Sequence, residues 1–127
     1  MGCAKIFIIE DDRSIRETFQ DVLELEGFGV ESFAGGQEAL DRLEEMKEPC
    51  LILLDMMMLP MNGEEFMERF NKLSVTIVPI PVYLVSATSS VAQSKEMGCK
   101  GFIKKPVDLA ALLLIVNQFC KTNQRAA

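Results

Sequence analysis

Four short apolar runs, each closed by a residue able to do chemistry, most constrain what this chain can fold into. Ile6-Phe7-Ile8-Ile9 leads to Glu10-Asp11-Asp12, and Cys50-Leu51-Ile52-Leu53-Leu54 leads to Asp55. Val82-Tyr83-Leu84-Val85 leads to Ser86, and Gly101-Phe102-Ile103 leads to Lys104-Lys105. Continuous apolar runs of this length suit strands of a sheet covered on both faces. Amphipathic stretches of helical period lie between them, so strand and helix alternate along the chain. The pattern predicts an α/β fold, a doubly wound parallel sheet of five strands with one helix after each. Open sheets of this kind bind ligands and do chemistry beyond the carboxyl ends of their strands. Acids, a hydroxyl and an ammonium are therefore expected along one edge.

The first strand is expected at about Lys5 to Ile9. Its helix shows Ile15, Phe19, Val22 and Leu23 on one face, Ser14 and Glu17 at capping-box spacing, and Gly27 as a stop. Phe28 to Phe33 reads as a short edge strand. Gly35-Gly36 leads into a helix with Ala39, Leu40, Leu43 and Met46 inward. After the third strand, Cys50 to Leu54, the turn Asn62-Gly63 opens a helix carrying Phe66, Phe70 and Leu73. Pro79 and Pro81 flank the start of the fourth strand. A short polar helix from about Ser89 to Met97 stops at Gly98, and the fifth strand is Gly101 to Ile103. The last helix, about Val107 to Phe119, is apolar almost all round. Placing Leu109, Leu112, Leu113 and Val116 toward the sheet leaves Leu114 and Ile115 outward, which suits either a contact surface or scattered surface hydrophobes.

At 127 residues the chain reads as one domain with its core at about residues 5–120 and no output domain. A net charge of -6 without a basic stripe argues against direct nucleic-acid binding. The longest apolar run, Leu109 to Val116, falls far short of the roughly 20 residues of a membrane span. No apolar signal segment stands near the start, and Met1-Gly2-Cys3 reads as an ordinary beginning because Ile6 sits where a myristoylation signal carries Ser or Thr. Cys3, Cys50, Cys99 and Cys120 show no metal-ligand spacing and are expected as reduced structural thiols of a cytoplasmic protein. Histidine is absent, so the chemistry falls to carboxylates and the chain cannot be a phosphohistidine donor.

In the strand order 2-1-3-4-5 the first and third strands are neighbours. Glu10, Asp11 and Asp55 then converge. Like charges about 4 Å apart repel by roughly 4 kcal/mol at an effective dielectric of 20. Such a cluster needs a cation or a raised pKa. Only hard oxygen ligands are on offer, which suits Mg2+ with several retained waters. Lys105 and Ser86 would hold the oxygens of an incoming phosphoryl group. Each piece has an ordinary reading alone: Asp12 as a helix cap, Lys105-Pro106 as an exposed turn, Ser86 as structural. Their joint placement at the ends of successive strands singles them out.

Ile-Ile-Glu10-Asp11-Asp12, Leu-Leu-Asp55-Met-Met-Met-Leu-Pro60-Met-Asn62-Gly63, Val-Ser86-Ala87 and Phe102-Ile-Lys104-Lys105-Pro106 resemble the motifs of a two-component response-regulator receiver domain, CheY-like, over about Lys5 to Phe119. The resemblance implies a (βα)5 flavodoxin-like fold in which Asp55 accepts a phosphoryl group from a phosphohistidine. The donor would be a sensor histidine kinase or a phosphotransfer protein. It implies Mg2+ held by Asp11 and Asp55, by Glu10 through water, and by the backbone carbonyl of Met57. Ser86 takes the switch position, Ser86, Ala87 and Lys105 meet the phosphoryl oxygens, and Phe102 swings inward when Ser86 moves. The domain would assist its own phosphorylation and dephosphorylation without being an enzyme. It would act on a downstream protein or a fused output domain, with homodimerisation through the fourth and last helices as a further expectation.

Three departures bear on this. Pro60 stands five residues after Asp55 rather than four, so the loop above the acceptor is reshaped. The stretch from Ser86 to Lys105 is a few residues short, which trims the fourth helix or the loop before it. Met57 cannot hydrogen-bond a hydrolytic water as Asn or Glu could, so slow phosphate loss is expected; Met56, Met57, Met58 and Met61 equally suit flexible gap-filling. Among other functions, an aspartyl-phosphate phosphatase would carry Asp-x-Asp after the first strand. A flavodoxin-like cofactor binder would carry a Ser/Thr/Gly-rich loop where this chain has Asp12-Arg13-Ser14. A phosphate-independent receiver-like interaction module is the alternative within the same fold.

Overall fold

The structure, a computed structural model, describes residues 4–45, 49–73, 80–88 and 91–122. Five parallel strands, β1 (Ile6–Ile9), β2 (Val30–Phe33), β3 (Leu51–Asp55), β4 (Val82–Ser86) and β5 (Gly101–Lys104), pair in the order β2-β1-β3-β4-β5. They alternate with α1 (Arg13–Leu25), α2 (Gly36–Glu45), α3 (Gly63–Leu73), α4 (Val91–Glu96) and α5 (Leu109–Phe119). This is the doubly wound α/β sheet that the repeated apolar runs predict. Met1-Gly2-Cys3, Met46, Pro79 and Ser89 lie outside the described residues.

Side chains of a strand alternate between the two faces of its sheet, and here each face has its own core. Phe7 and Ile9 of β1 and Ile52 and Leu54 of β3 join Ala39, Leu40 and Leu43 of α2 and Phe66, Met67 and Phe70 of α3. Their neighbours Ile6, Ile8, Leu51 and Leu53 turn to the other face, against Phe19 and Leu23 of α1 and Leu112 and Val116 of α5. Both central strands are buried throughout, which is why their sequence is continuously apolar rather than alternating.

Local chemistry sets the helix ends. Asp12 leaves β1 in extended conformation (φ -76°, ψ 116°), and its carboxylate accepts from the Ile15 N–H at 3.1 Å. Asp12 is thus the N-cap; Ser14 lies inside the helix and Glu17 pairs with Arg13 at 2.8 Å, so the expected Ser14–Glu17 box does not form. Gly27 follows α1 at φ 95°, a left-handed conformation that suits glycine. The capping box stands instead at α3, where Asn62 Oδ1 accepts from the Glu65 N–H at 2.9 Å and the Glu65 carboxylate accepts from the Asn62 N–H at 3.1 Å. α5 begins two residues later than expected, because the Asp108 carboxylate accepts from Ala110 and Ala111. Only Leu112 and Val116 of α5 are buried; Leu109 is exposed and Ile115 half-buried, while Leu114 is 69% exposed.

The reading of the cysteines as reduced thiols needs correction, because Cys50 and Cys120 form a disulfide. In a parallel βα fold the amino ends of strands and the carboxyl ends of helices share one edge. That topology brings the residue before β3 to the residue after α5, 70 positions apart. Apolar surroundings do not forbid pairing. Closing a loop of that size stabilises by on the order of 4 kcal/mol in the chain-entropy account. Cys99 is a buried free thiol, pushed up to about 11 by burial.

Tyr83 explains why β5 starts with glycine. Its ring lies over Gly101, so a Cβ there would meet the ring carbons directly. Gly101→Ala is expected to cost about 1–3 kcal/mol through forced repacking. Urea unfolding should show a lower midpoint at an unchanged m-value.

Candidate functional site

Strand register assembles the site. Ile9 pairs with Leu54, so one step further Glu10 stands beside Asp55. Asp55 pairs with Val85, so Ser86 lies one residue beyond, and Ser86 pairs with Lys104, after which comes Lys105. The Lys105 N–H donates to the Ser86 carbonyl at 3.0 Å, carrying the ladder to the edge.

Three carboxylates and one ammonium meet there. Glu10, Asp11 and Asp55 each present an oxygen within 4.8 Å of the others. Glu10 and Asp55 are buried and Asp11 is exposed, so the cluster is a pocket open on one side. Lys105 Nζ donates to Asp55 Oδ1 at 2.9 Å and lies 3.7 Å from Glu10 Oε1. Lys104 is exposed, and the lysine that reaches the carboxylates is Lys105. Burial pushes the Glu10 carboxyl up to about 7 against the hydrogen bond it accepts from the Asp12 N–H, and the neighbouring Asp55 charge adds to the rise. Burial works against the Lys105 ammonium. Its hydrogen bond to Asp55 and the charges of Asp55, Glu10 and Asp11 outweigh this and hold its pKa above the ordinary lysine value.

The other residues singled out by sequence lie around this pocket. Ser86 is buried, and its Oγ accepts from the Thr88 N–H at 3.1 Å. Ala87 follows it at the exposed edge. Met57 is 72% exposed on the loop after Asp55, beside the buried Met56 and Met58. Phe102 is half-buried against the core that contains Phe66. Among the described residues α4 spans six, Val91–Glu96. An open apolar groove of about 390 Å3 adjoins Lys105, lined by Ile15, Thr18, Phe19, Pro106, Val107 and Leu109.

Arg16 is a residue that sequence reasoning missed. Its Nη1 donates to the Glu10 carbonyl at 2.8 Å, tying the acid loop to the first turns of α1. An arginine five residues after the acid pair Glu10-Asp11 was the available signal, but its target is a backbone atom that no residue pattern marks.

The donor set fits a small hard divalent cation. It is all oxygen, it is pre-gathered, and one ammonium stands against three acidic groups. Glu10, Asp11 and Asp55 are the residues that would hold Mg2+.

Comparison with known proteins agrees with this fold. The family described as response regulator receiver domain matches residues 6–117. The chain is 34% identical over 106 residues to a transcriptional regulatory protein, the CpxR homolog of Haemophilus influenzae, covering 81% of this chain and 44% of that protein. It is 31% identical over 105 residues to sporulation initiation phosphotransferase F of Bacillus subtilis, covering 83% of this chain and 84% of that one. Among solved structures, chemotaxis protein CheY4 of Vibrio cholerae superposes with a TM-score of 0.78 at 26% identity, over 91% of this chain and 98% of the other. A CheY-like receiver domain from Methanospirillum hungatei gives 0.79 at 29% identity, over 91% of each. The chain belongs to the response regulator receiver domain family. Receiver domains are signalling modules of two-component systems, generally not enzymes. The chain spans less than half the length of relatives such as the CpxR homolog. Among the described residues, no helix is long and apolar enough to cross a membrane.

Proposed function

We propose that this domain is a phosphoacceptor switch in which Asp55 takes a phosphoryl group from a phosphohistidine on a partner protein. The observation that carries this reading is the meeting of Asp55, Glu10, Asp11 and Lys105 at the carboxyl edge of the sheet. An Asp55 carboxylate oxygen forms the new O–P bond as the N–P bond to the donor imidazole breaks. Lys105, already in contact with Asp55, pairs with a phosphoryl oxygen, and Ser86 and Ala87 receive another. Asp11, Asp55 and the Met57 carbonyl, with Glu10 through water, would hold Mg2+, which when bound would supply charge neutralisation for the transferring group. The new contacts favour one of two arrangements of the face containing Ser86, Phe102 and α5.

The phosphohistidine donor, a sensor kinase or phosphotransfer protein, docks on the apolar groove beside Lys105, which opens next to the acceptor. The domain works in the cytoplasm as a single receiver, without direct contact to nucleic acid. Its output is a downstream protein, a fused domain, or a homodimer formed through α4 and the exposed side of α5 at Leu114.

Intact-mass spectrometry after incubation with acetyl phosphate and Mg2+ tests the reading. One added phosphoryl group supports it. No gain with Mg2+ bound would leave a receiver that needs its kinase or signals without phosphate, and no Mg2+ binding would remove the basis for the site. Met57→Asn is expected to speed loss of the phosphoryl group, by up to about tenfold for one well-placed hydrogen bond to the attacking water. A half-life no shorter than the parent's, followed by the same mass measurement, would count against a role for Met57.

A further inference from the structure

We propose that Cys50 and Cys120 are a reversible dithiol–disulfide site, at which thiol–disulfide exchange with a small disulfide fastens the carboxyl end of α5 to the sheet. This does not rest on the phosphoacceptor reading, because the pair sits at the opposite edge of the sheet from Asp55.

The placement makes the pair suited to exchange. The two Cα atoms are 5.4 Å apart, inside the range a disulfide needs without backbone movement. Cys50 is half-buried and Cys120 is buried, so an incoming disulfide meets Cys50 first. The remaining described cysteine, Cys99, is buried and free, and burial holds its thiol protonated at neutral pH, out of the exchange.

Both ends of the link are held by other means. β3 is paired on both sides, to β1 and β4. α5 is anchored by Leu112 and Val116, and its first turn is capped by Asp108. Opening the bond therefore leaves the sheet and the first turns of α5 in place. What it releases is the last turn. There Phe119 lies with its ring 5.8 Å from that of Tyr83, and Tyr83 covers Gly101 of β5. The disulfide thus holds one end of a path Cys120–Phe119–Tyr83–Gly101 that runs to the edge strand.

The step balances with oxidised glutathione, a low-molecular-weight disulfide, as oxidant. The Cys50 thiolate attacks one glutathione sulfur, forming a mixed disulfide and releasing one glutathione thiolate. The Cys120 thiolate then attacks the Cys50 sulfur and expels the second. The two cysteine thiols give up two electrons to the glutathione disulfide, and their two protons pass to the released thiolates. Reduced glutathione runs the sequence backward.

The test uses the full 127-residue chain. The native protein is equilibrated in buffers of varied reduced-to-oxidised glutathione ratio, trapped with an alkylating reagent and mapped by peptide mass. The expected result is a Cys50–Cys120 linked peptide that rises and falls with the ratio, reaching the same level from either direction, while Cys99 stays a thiol. Absence of the linked peptide at every ratio would overturn the proposal. So would arrest at glutathionylated Cys50, or a bond that opens only when the protein is unfolded. Hydrogen exchange on the two forms tests the fastening. Amides in the last turn of α5 should exchange on the order of tenfold faster when the pair is reduced, with α1 and β1 unchanged. Cys50→Ser should reproduce the reduced pattern in oxidising buffer. Equal exchange in both forms would overturn the mechanical part of the claim.

Discussion

Asp55→Asn should abolish phosphoryl transfer from acetyl phosphate, with no added mass where the parent gains one group. The replacement keeps the shape of the side chain and removes the anionic oxygen that would form the bond to phosphorus in the proposed transfer. It also removes one of three acidic groups that lie within 4.8 Å of each other, so Mg2+ affinity should fall in calorimetric titration. Lys105→Ala makes the informative companion. It leaves the proposed nucleophile intact and takes away the cation that contacts it at 2.9 Å. Loss of one electrostatic stabiliser of a developing charge typically costs about 100- to 1,000-fold in rate. The lysine variant should therefore label slowly where the asparagine variant does not label at all. Equal labelling of Asp55→Asn and the parent would move the acceptor elsewhere and overturn the assignment.

Phe66→Ala should be among the most damaging single changes to stability outside the site. Phe66 is fully buried in the core shared by β1, β3, α2 and α3, and its ring stacks on Phe70 with centroids 5.9 Å apart. Truncating a fully buried Phe costs about 3–5 kcal/mol, from lost transfer energy and the cavity left behind. Against the 5–15 kcal/mol typical of a domain, that is a large fraction. Thermal unfolding should show the midpoint falling by on the order of 10 °C or more. A shift of a degree or two would mean that Met61 and Met67, which border this core, collapse into the space.

The alternation of strand and helix and the gathering of acids and lysine at one edge were legible from the residues that end each apolar run, while the strand order came from the known doubly wound topology and the receiver resemblance. A continuously apolar strand announces burial on both faces, and the residue after it falls at the carboxyl edge whatever the surrounding detail. Boundaries were less legible. Asp12 and Ser14 are both good caps, and the choice falls to Asp12 because the backbone leaving β1 is still extended there. Leu109 and Ile115 trade places in the expected packing of α5, because an almost uniformly apolar helix gives no periodic signal to orient it. Arg16 acts on a carbonyl, and the Cys50–Cys120 link joins residues 70 apart. Neither leaves a local trace in the sequence.

The two outermost strands, β2 and β5, leave one backbone side each without a partner strand within the sheet. Such edges can template the pairing of another chain. Both are only four residues long. At β2, Glu31 is clasped by Arg42 of α2 through contacts of 2.8 and 3.1 Å, with Lys5 at 3.8 Å. At β5, the strand ends in the exposed Lys104. An intruding strand at β2 would have to strip water from this charged cluster. At β5 it would find two or three residues of ladder before meeting a bare ammonium. Short length and charge at both edges are the features that discourage strand addition and growth into fibrils.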